Sequence, residues 1–252
     1  MEIIAHRGAS HDAPENTLAA VRLAWEQGAD AVEIDVRLSK DGHIVVLHDD
    51  DTRRVAGVNR KASERTLAEL QQLHVGSWKN ARFSGERIPT LVEVIAMMPH
   101  GKRLFIEVKC GQEIVAPLQR TLHSCQRPSQ QFAVIAFSDA VLHAVKVALP
   151  SVEAFWLSGF THDPDTNTYR PTADELIGTA SAAGFDGLDL WHEGVDSAFV
   201  RQAHEAGLKC FAWTVNDAAA ARRLVAAGVD GITTDRPAWL REKLQVAQPV
   251  VE

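Results

Sequence analysis

Glu33, Asp35, Glu107 and Lys109 lie in two short apolar runs, AVEIDV and LFIEVK, that read as β-strands. Side chains alternate along a strand, so Glu33 and Asp35 share one face while Val32, Ile34 and Val36 take the other. The same parity sets Glu107 and Lys109 against Ile106 and Val108. Three ionised carboxylates brought together inside a protein are very costly unless a cation compensates them or they take up protons. An all-oxygen donor set favours a hard ion, Mg²⁺ or Ca²⁺, over zinc, and such an ion leaves positions open for phosphate oxygens and water. Lys109 adds a fixed positive charge, and Arg7 offers a planar donor to a phosphate oxygen. Histidine titrates near neutrality, so His6 and His48 suit an acid–base pair around a phosphodiester.

These residues need a frame that brings them to one place. Strands are predicted near 2–6, 31–36, 103–109, 131–137, 152–157, 185–190, 208–214 and 229–234. Helices are predicted near 16–27, 91–98, 112–126, 139–148, 172–183, 197–206 and 217–227, with a last one from about 238. Alternation of this kind predicts an α/β fold, a (β/α)₈ TIM barrel with a parallel sheet. Gly28, Gly184, Gly207 and Gly228 each end a helical pattern just before a strand, the usual place for a left-handed cap. In a barrel the apolar strand faces meet the helices and the acids point inward, at the C-terminal strand ends where barrel enzymes build their sites.

His48 lies outside the eight strands. Lys40-Asp41-Gly42 signals a hairpin, and a turn centred between Asp41 and Gly42 sets Asp35 opposite His48. That register returns His48 to the rim holding His6. The hairpin belongs to a stretch, 37–90, that reads as an insertion after the second strand, with one short helix pattern at Leu67, Leu70 and Leu73. The chain thus reads as one catalytic barrel domain, 1–252, with 37–90 as its hairpin-plus-helix insertion. Asp189 and Trp213 also fall near strand ends. Trp213 either fills the barrel mouth or contacts substrate. Asp235 reads as a cap on the turn before Pro237. The remaining nine histidines read as surface or core residues. Arg53, Arg54 and residues 49–90 are expected to shape a head-group pocket.

Composition narrows the partners. The formal net charge is −7, whereas general nucleic-acid binders are basic, so no nucleic acid is expected. Three cysteines make no disulfide framework and suit a reducing compartment. The opening MEIIAHRG has no signal-peptide pattern, and no apolar run is long enough to span a membrane. A cytoplasmic protein without stable membrane anchoring is expected; oligomeric state is not legible.

Several runs together resemble the glycerophosphodiester phosphodiesterase family, in its cytoplasmic bacterial form. They are His6-Arg7-Gly8, Pro14-Glu15-Asn16-Thr17, Gly28-Ala29-Asp30, Glu33-Ile34-Asp35-Val36, Lys40-Asp41-Gly42 and His48-Asp49, followed by Ile88-Pro89-Thr90-Leu91, Glu107-Val108-Lys109, Trp213-Thr214-Val215-Asn216 and Thr234-Asp235-Arg236-Pro237. The resemblance runs from residue 3 to about 245. It implies a barrel with an insertion after the second strand. His6 and His48 become general acid and base, and Glu33, Asp35 and Glu107 become ligands of Mg²⁺ or Ca²⁺. Arg7 and Lys109 would contact phosphate, and Trp213 would line the glycerol side. The implied reaction releases sn-glycerol 3-phosphate and an alcohol from deacylated phospholipids such as glycerophosphocholine or glycerophosphoethanolamine. One departure is Ala136-Phe137-Ser138, where the family often shows Ser-Phe; it leaves the acid–base and metal positions untouched. Three rival readings are a lysophospholipase D, a barrel that only binds, and a phosphate-binding isomerase or aldolase. The last has no need of three inward acids, and the binding-only barrel would be favoured by loss of a histidine or acid, none of which is lost.

Overall fold

The computed structural model describes residues 1–166 and 168–245. Eight parallel strands close into a barrel in the order β1 (Glu2–Ala5), β2 (Ala31–Leu38), β4 (Arg103–Val108), β5 (Phe132–Ala136), β6 (Glu153–Ser158), β9 (Gly187–Trp191), β10 (Lys209–Trp213) and β11 (Gly231–Thr234). Closure comes from β1, which pairs with β11 through Glu2–Ala5 and with β2 through Ile4 and Ala5. The (β/α)₈ TIM barrel predicted from the alternation is thus the fold observed. The last seven residues of the span 1–252 lie outside the described residues.

Helices start where the sequence supplies side-chain caps. Thr17, Thr172, Asp196 and Asp217 each accept a hydrogen bond from a backbone N–H in the first turn of the helix that follows, removing a donor the helix cannot satisfy itself. Gly184 and Gly228 close two helices in the left-handed conformation, as their position before a strand predicts.

The barrel is filled in layers. Phe105, Phe155 and Phe211 pack together inside it, with ring centroids 4.7–5.9 Å apart. Full burial of each contributes about 1.5–3 kcal/mol. Gly231 makes room for this plug, since a Cβ there would lie 2.7 Å from the Phe211 ring. Below the plug, Arg103 pairs with Glu2 and Glu153, and Lys209 pairs with Glu153. This end of the barrel is tied by ion pairs; the C-terminal end is left for chemistry.

After β2 the chain turns into β3 (Ile44–Val46), antiparallel to it. The register differs from the predicted one by a residue. Val36 pairs with Val46, Arg37 with Val45 and Leu38 with Ile44, so Asp35 falls opposite Leu47, whose N–H it accepts at 2.9 Å. The turn has three residues, Lys40-Asp41-Gly42, closed by Ser39 and His43, with Gly42 at φ +82°. A one-residue slip moves every side chain to the other face: Leu47 is buried with Val45, Val55, Leu70 and Ile88 in a small separate core, and His48 is freed to turn toward the barrel mouth. The helix expected around Leu67, Leu70 and Leu73 spans only Leu67–Leu70, capped by a Thr66–Glu69 box. A second ribbon, β7 (Thr161–Asp163) with β8 (Thr168–Arg170), was not signalled by its polar, turn-rich sequence.

Candidate active site

The inward faces of β2 and β4 bring Glu33, Asp35 and Glu107 together. Asp35 is opposite Glu107 in the strand register, and one oxygen from each acid lies within 4.8 Å of the others. All three are buried. Glu33 Oε1 has no hydrogen bond. Asp35 Oδ1 and Glu107 Oε1 meet the Lys109 ammonium at 3.3 and 2.5 Å. Burial and the neighbouring Asp35 and Glu107 charges push Glu33 well above the usual carboxylate range. Burial and Asp35 push Glu107 up to about 7 against the pull of Lys109. Asp35 is held low despite its burial, because Arg7 and Lys109 face it. Three enclosed carboxylates, one with an orphaned oxygen, face only the Lys109 ammonium and the Arg7 guanidinium and are under-compensated. An oxygen-seeking divalent cation fits that donor set.

The loop after β1 holds these acids from the other side. Arg7 and Asn16 both adopt left-handed backbone, φ +54° and +58°, which non-glycine residues seldom take and which clusters at functional sites. In that conformation Arg7 N–H donates to Glu33 Oε2 at 2.8 Å, and Arg7 Nε lies 3.1 Å from Asp35 Oδ2. Asn16 clamps Asp35 twice: its amide donates to Oδ2 at 2.7 Å, and its Oδ1 accepts the Asp35 N–H at 3.1 Å. Gly8 is required between them. It sits at φ +80°, and a Cβ would meet the Ala20 backbone at 2.5 Å.

Each histidine is oriented through Nδ1. His6 Nδ1 bonds Asp235 Oδ1 at 2.7 Å, and His48 Nδ1 bonds Asp49 Oδ1 at 2.7 Å. Although burial opposes ionisation, hydrogen bonds from His6, Asn216 and Ser10 hold Asp235 near 2, and those from Arg54 and His48 hold Asp49 near 2. An ionised carboxylate only accepts, so Nδ1 carries the hydrogen in both rings and Nε2 is the nitrogen left to act. Burial lowers His48 below the usual histidine value.

These groups converge on one pocket of about 230 Å³, lined by His6, Arg7, Glu33, His48, Glu107 and Lys109 on its charged side. Ile135, Phe137, Leu157 and Trp213 form its apolar wall. Trp213 both lines the pocket and packs edge-on against Phe137 and Trp191, at 5.8 and 5.4 Å. Its indole N–H is committed to the Asp189 carbonyl at 3.1 Å. All eight residues singled out by sequence for catalysis, metal or substrate therefore meet at one site.

One assignment changes. Asp235 does not cap the turn before Pro237; Thr234 Oγ1 accepts the Arg236 N–H there at 3.2 Å. Asp235 instead holds His6, with Ser10 and Asn216 as further partners at 2.9 and 2.6 Å. Arg53 and Arg54 both line the wide cleft beside His48, and Arg54 is tied in place there: it donates to Asp49 Oδ2 at 2.7 Å and to both oxygens of Glu15 at 2.7 and 2.9 Å. Glu15 also accepts from Arg7 at 2.8 Å. One ionic chain thus runs Arg7–Glu15–Arg54–Asp49–His48. Asp49 and Glu15 were visible only as members of motifs; Asp49 is next to His48 and five residues from Arg54, whereas Glu15 and Arg54 are 39 residues apart.

Barrel and pocket place a cluster of acids, cations and histidines at the C-terminal strand ends, where barrel enzymes build their sites. Residues 6–239 match the model of the Glycerophosphoryl diester phosphodiesterase family, and the chain belongs to that family; it is a glycerophosphodiester phosphodiesterase by class. It is 33% identical over 242 residues to the glycerophosphodiester phosphodiesterase of Caldanaerobacter subterraneus subsp. tengcongensis, covering 94% of this chain and 95% of that one. It is 28% identical to a glycerophosphodiester phosphodiesterase of Bacillus subtilis, over 93% of this chain and 83% of the relative. Among solved structures it resembles an Oleispira antarctica phosphodiesterase in complex with the product sn-glycerol-3-phosphate, with TM-score 0.87, 31% identity and 97% of each chain covered.

Proposed function

We propose that this enzyme hydrolyses soluble glycerophosphodiesters, such as glycerophosphocholine and glycerophosphoethanolamine, to sn-glycerol 3-phosphate and the free alcohol. Glu33, Asp35 and Glu107 hold Mg²⁺ or Ca²⁺; His6 and His48 are the acid–base pair; Arg7 and Lys109 contact phosphate, and Trp213 lines the glycerol side. The observation that carries this is the meeting of two Asp-oriented histidines and an under-compensated carboxylate triad in one small pocket. Similarity to a phosphodiesterase in complex with sn-glycerol-3-phosphate supports the same reading. The protein acts as one catalytic barrel with its 37–90 insertion. Free cysteines at 110, 125 and 210 suit the cytoplasm, and among the described residues no helix is long and apolar enough to cross a membrane.

The chemistry assigned to the side chains is proton transfer and charge placement. A divalent ion held by Glu33, Asp35 and Glu107 would supply positive charge to the phosphoryl group. Arg7 and Lys109 fix the phosphate by charge-assisted hydrogen bonds. One histidine takes the proton of the glycerol 2-hydroxyl as that oxygen attacks phosphorus, and the other gives a proton to the departing alcohol. Water then opens the cyclic phosphate with the two roles exchanged.

The test is release of glycerol 3-phosphate from glycerophosphocholine and glycerophosphoethanolamine, after chelation and again with Mg²⁺ or Ca²⁺ restored. Metal-restored release is expected. No release from any soluble diester, together with choline release from lysophosphatidylcholine, would transfer the site to a lipid substrate.

A further inference from the structure

Across the barrel from the carboxylate triad stands a fourth buried acid that the mechanism does not use. Asp189 is on β9, which three strands separate from β2 in either direction around the barrel. Its side chain is 1% exposed and lines the same pocket as His6 and Glu107. It makes no hydrogen bond among the described residues, and its Oδ1 is enclosed without a partner. Its strand neighbours in register are Leu157 and Phe211, and the indole of Trp213 donates to its backbone carbonyl, not to its carboxyl. An enclosed carboxyl without a hydrogen-bond partner, with the Glu107 charge also bearing on it, is a cost to folding, and such a cost persists most often where function needs it.

We propose that Asp189 is a substrate-binding residue that accepts a hydrogen bond from the terminal, non-reacting hydroxyl of the glycerol half of the diester. This rests on the glycerophosphodiester reading above. The pocket shared by Glu33, Glu107 and Asp189 is small, about 230 Å³. The cleft on the other side of His48 and Lys109 is larger, about 600 Å³, and is lined by charged side chains including Arg37 and Arg53. The small pocket accommodates glycerol phosphate, and the wide cleft takes the varied alcohol. With phosphate at the charged side, the glycerol chain points along the apolar wall toward Asp189. Ionised or protonated, a carboxyl has an oxygen free to accept from a hydroxyl, so the assignment does not depend on its charge. It gives the enzyme a way to select glycerol over alcohols of similar size that lack that hydroxyl, because a buried acceptor left unpaired penalises the wrong substrate.

The experiment compares glycerophosphocholine with the analogue in which the terminal glycerol hydroxyl is replaced by hydrogen, leaving the reacting 2-hydroxyl in place. Asp189→Leu should lower kcat/KM on glycerophosphocholine by about 10–100-fold, the loss of one buried hydrogen bond to substrate, and change the deoxy substrate by less than about threefold. Asp189→Asn, which keeps an acceptor oxygen, should recover most of the loss. The thermal midpoint of Asp189→Leu should rise, since the variant removes an unpaired buried acid; a structural role predicts a fall. Equal losses on both substrates, or full activity of Asp189→Leu on glycerophosphocholine, would overturn the assignment. Failure of the wild type on both substrates would instead remove the glycerophosphodiester reading and this assignment with it.

Discussion

Glu107→Gln isolates the electrostatic frustration of the triad. In the ion-free protein Glu107 is pushed up from the ordinary 4.5 to about 7, first by burial and then by Asp35. Its folded-state pKa is raised, so between those two values the folded protein holds a proton that the unfolded chain has released. Stability of the ion-free wild type therefore falls as pH rises through 4.5 to 7 and is flat above that window. The full difference is worth about 3 kcal/mol, and about 2–3 kcal/mol of it lies between pH 5 and 8. Glutamine copies the protonated acid at every pH and keeps the shape, while Lys109 retains Asp35 at 3.3 Å. In excess chelator the thermal midpoint of the variant should therefore gain on the wild type by about 5–10 °C between pH 5 and pH 8, for a chain of this size. Saturating Ca²⁺ or Mg²⁺ should reverse the order, because the wild type binds the ion more tightly and is stabilised by that binding. Thermal denaturation of both proteins at the two pH values, with chelator and with metal, reads all four quantities. A gap that does not change with pH in chelator would mean that Glu107 ionises without penalty. The triad would then need no cation to offset its charge.

Three further outcomes follow from the site geometry. His6→Ala and His48→Ala should each lower kcat by about 10²–10⁴-fold with unchanged circular dichroism; near wild-type turnover in either would remove that histidine from the acid–base pair. Asp235→Asn should keep the fold but cost about 10–100-fold in kcat/KM with a smaller effect on product affinity, because it loosens the Nδ1 anchor of His6 and leaves the phosphate contacts in place; equal losses in both would reassign Asp235 to substrate binding. Gly8→Ala should destabilise by more than about 2 kcal/mol in denaturant titration, since it combines left-handed backbone with a 2.5 Å approach to Ala20; a change under about 0.5 kcal/mol would show that the loop relaxes freely.

What could be read from the sequence was what period and local chemistry encode. Strand and helix alternation is local, so the barrel was legible, and parity within β2 and β4 sufficed to put Glu33, Asp35 and Glu107 on its inner face. His48 was placed at the correct rim by an incorrect ruler, because the length of the loop at Lys40-Asp41-Gly42 decides the register, and Asp41-Gly42 signals a hairpin without fixing whether two or three residues make the turn. Partners joined by closure of the ring were hidden. Asp235 and His6 are 229 residues apart and meet only because β11 pairs with β1. The Glu15–Arg54 contact was hidden because it requires the insertion to fold back over the loop after β1. Asp189 read as one more residue near a strand end, because nothing in its neighbourhood announces that its carboxyl lacks a partner.

Those failures fall on one side of the molecule, and the asymmetry is informative. At the N-terminal end of the barrel the charges are matched: Arg103 and Lys209 meet Glu2 and Glu153. At the C-terminal end, local rules are broken together. Arg7 and Asn16 hold left-handed backbone without being glycine, Glu33 and Glu107 are pushed toward protonation, and Asp189 has an enclosed oxygen with no partner. Each of these departures is destabilising on its own. Folding gains nothing from placing them within one pocket, but binding does, because a cation, a phosphodiester and a glycerol hydroxyl would each satisfy a group that the folded chain leaves unsatisfied. The helices and the phenylalanine plug supply the stability that tolerates this strain, and the strained rim holds its polar groups ready before substrate arrives, so that little reorganisation remains for the transition state.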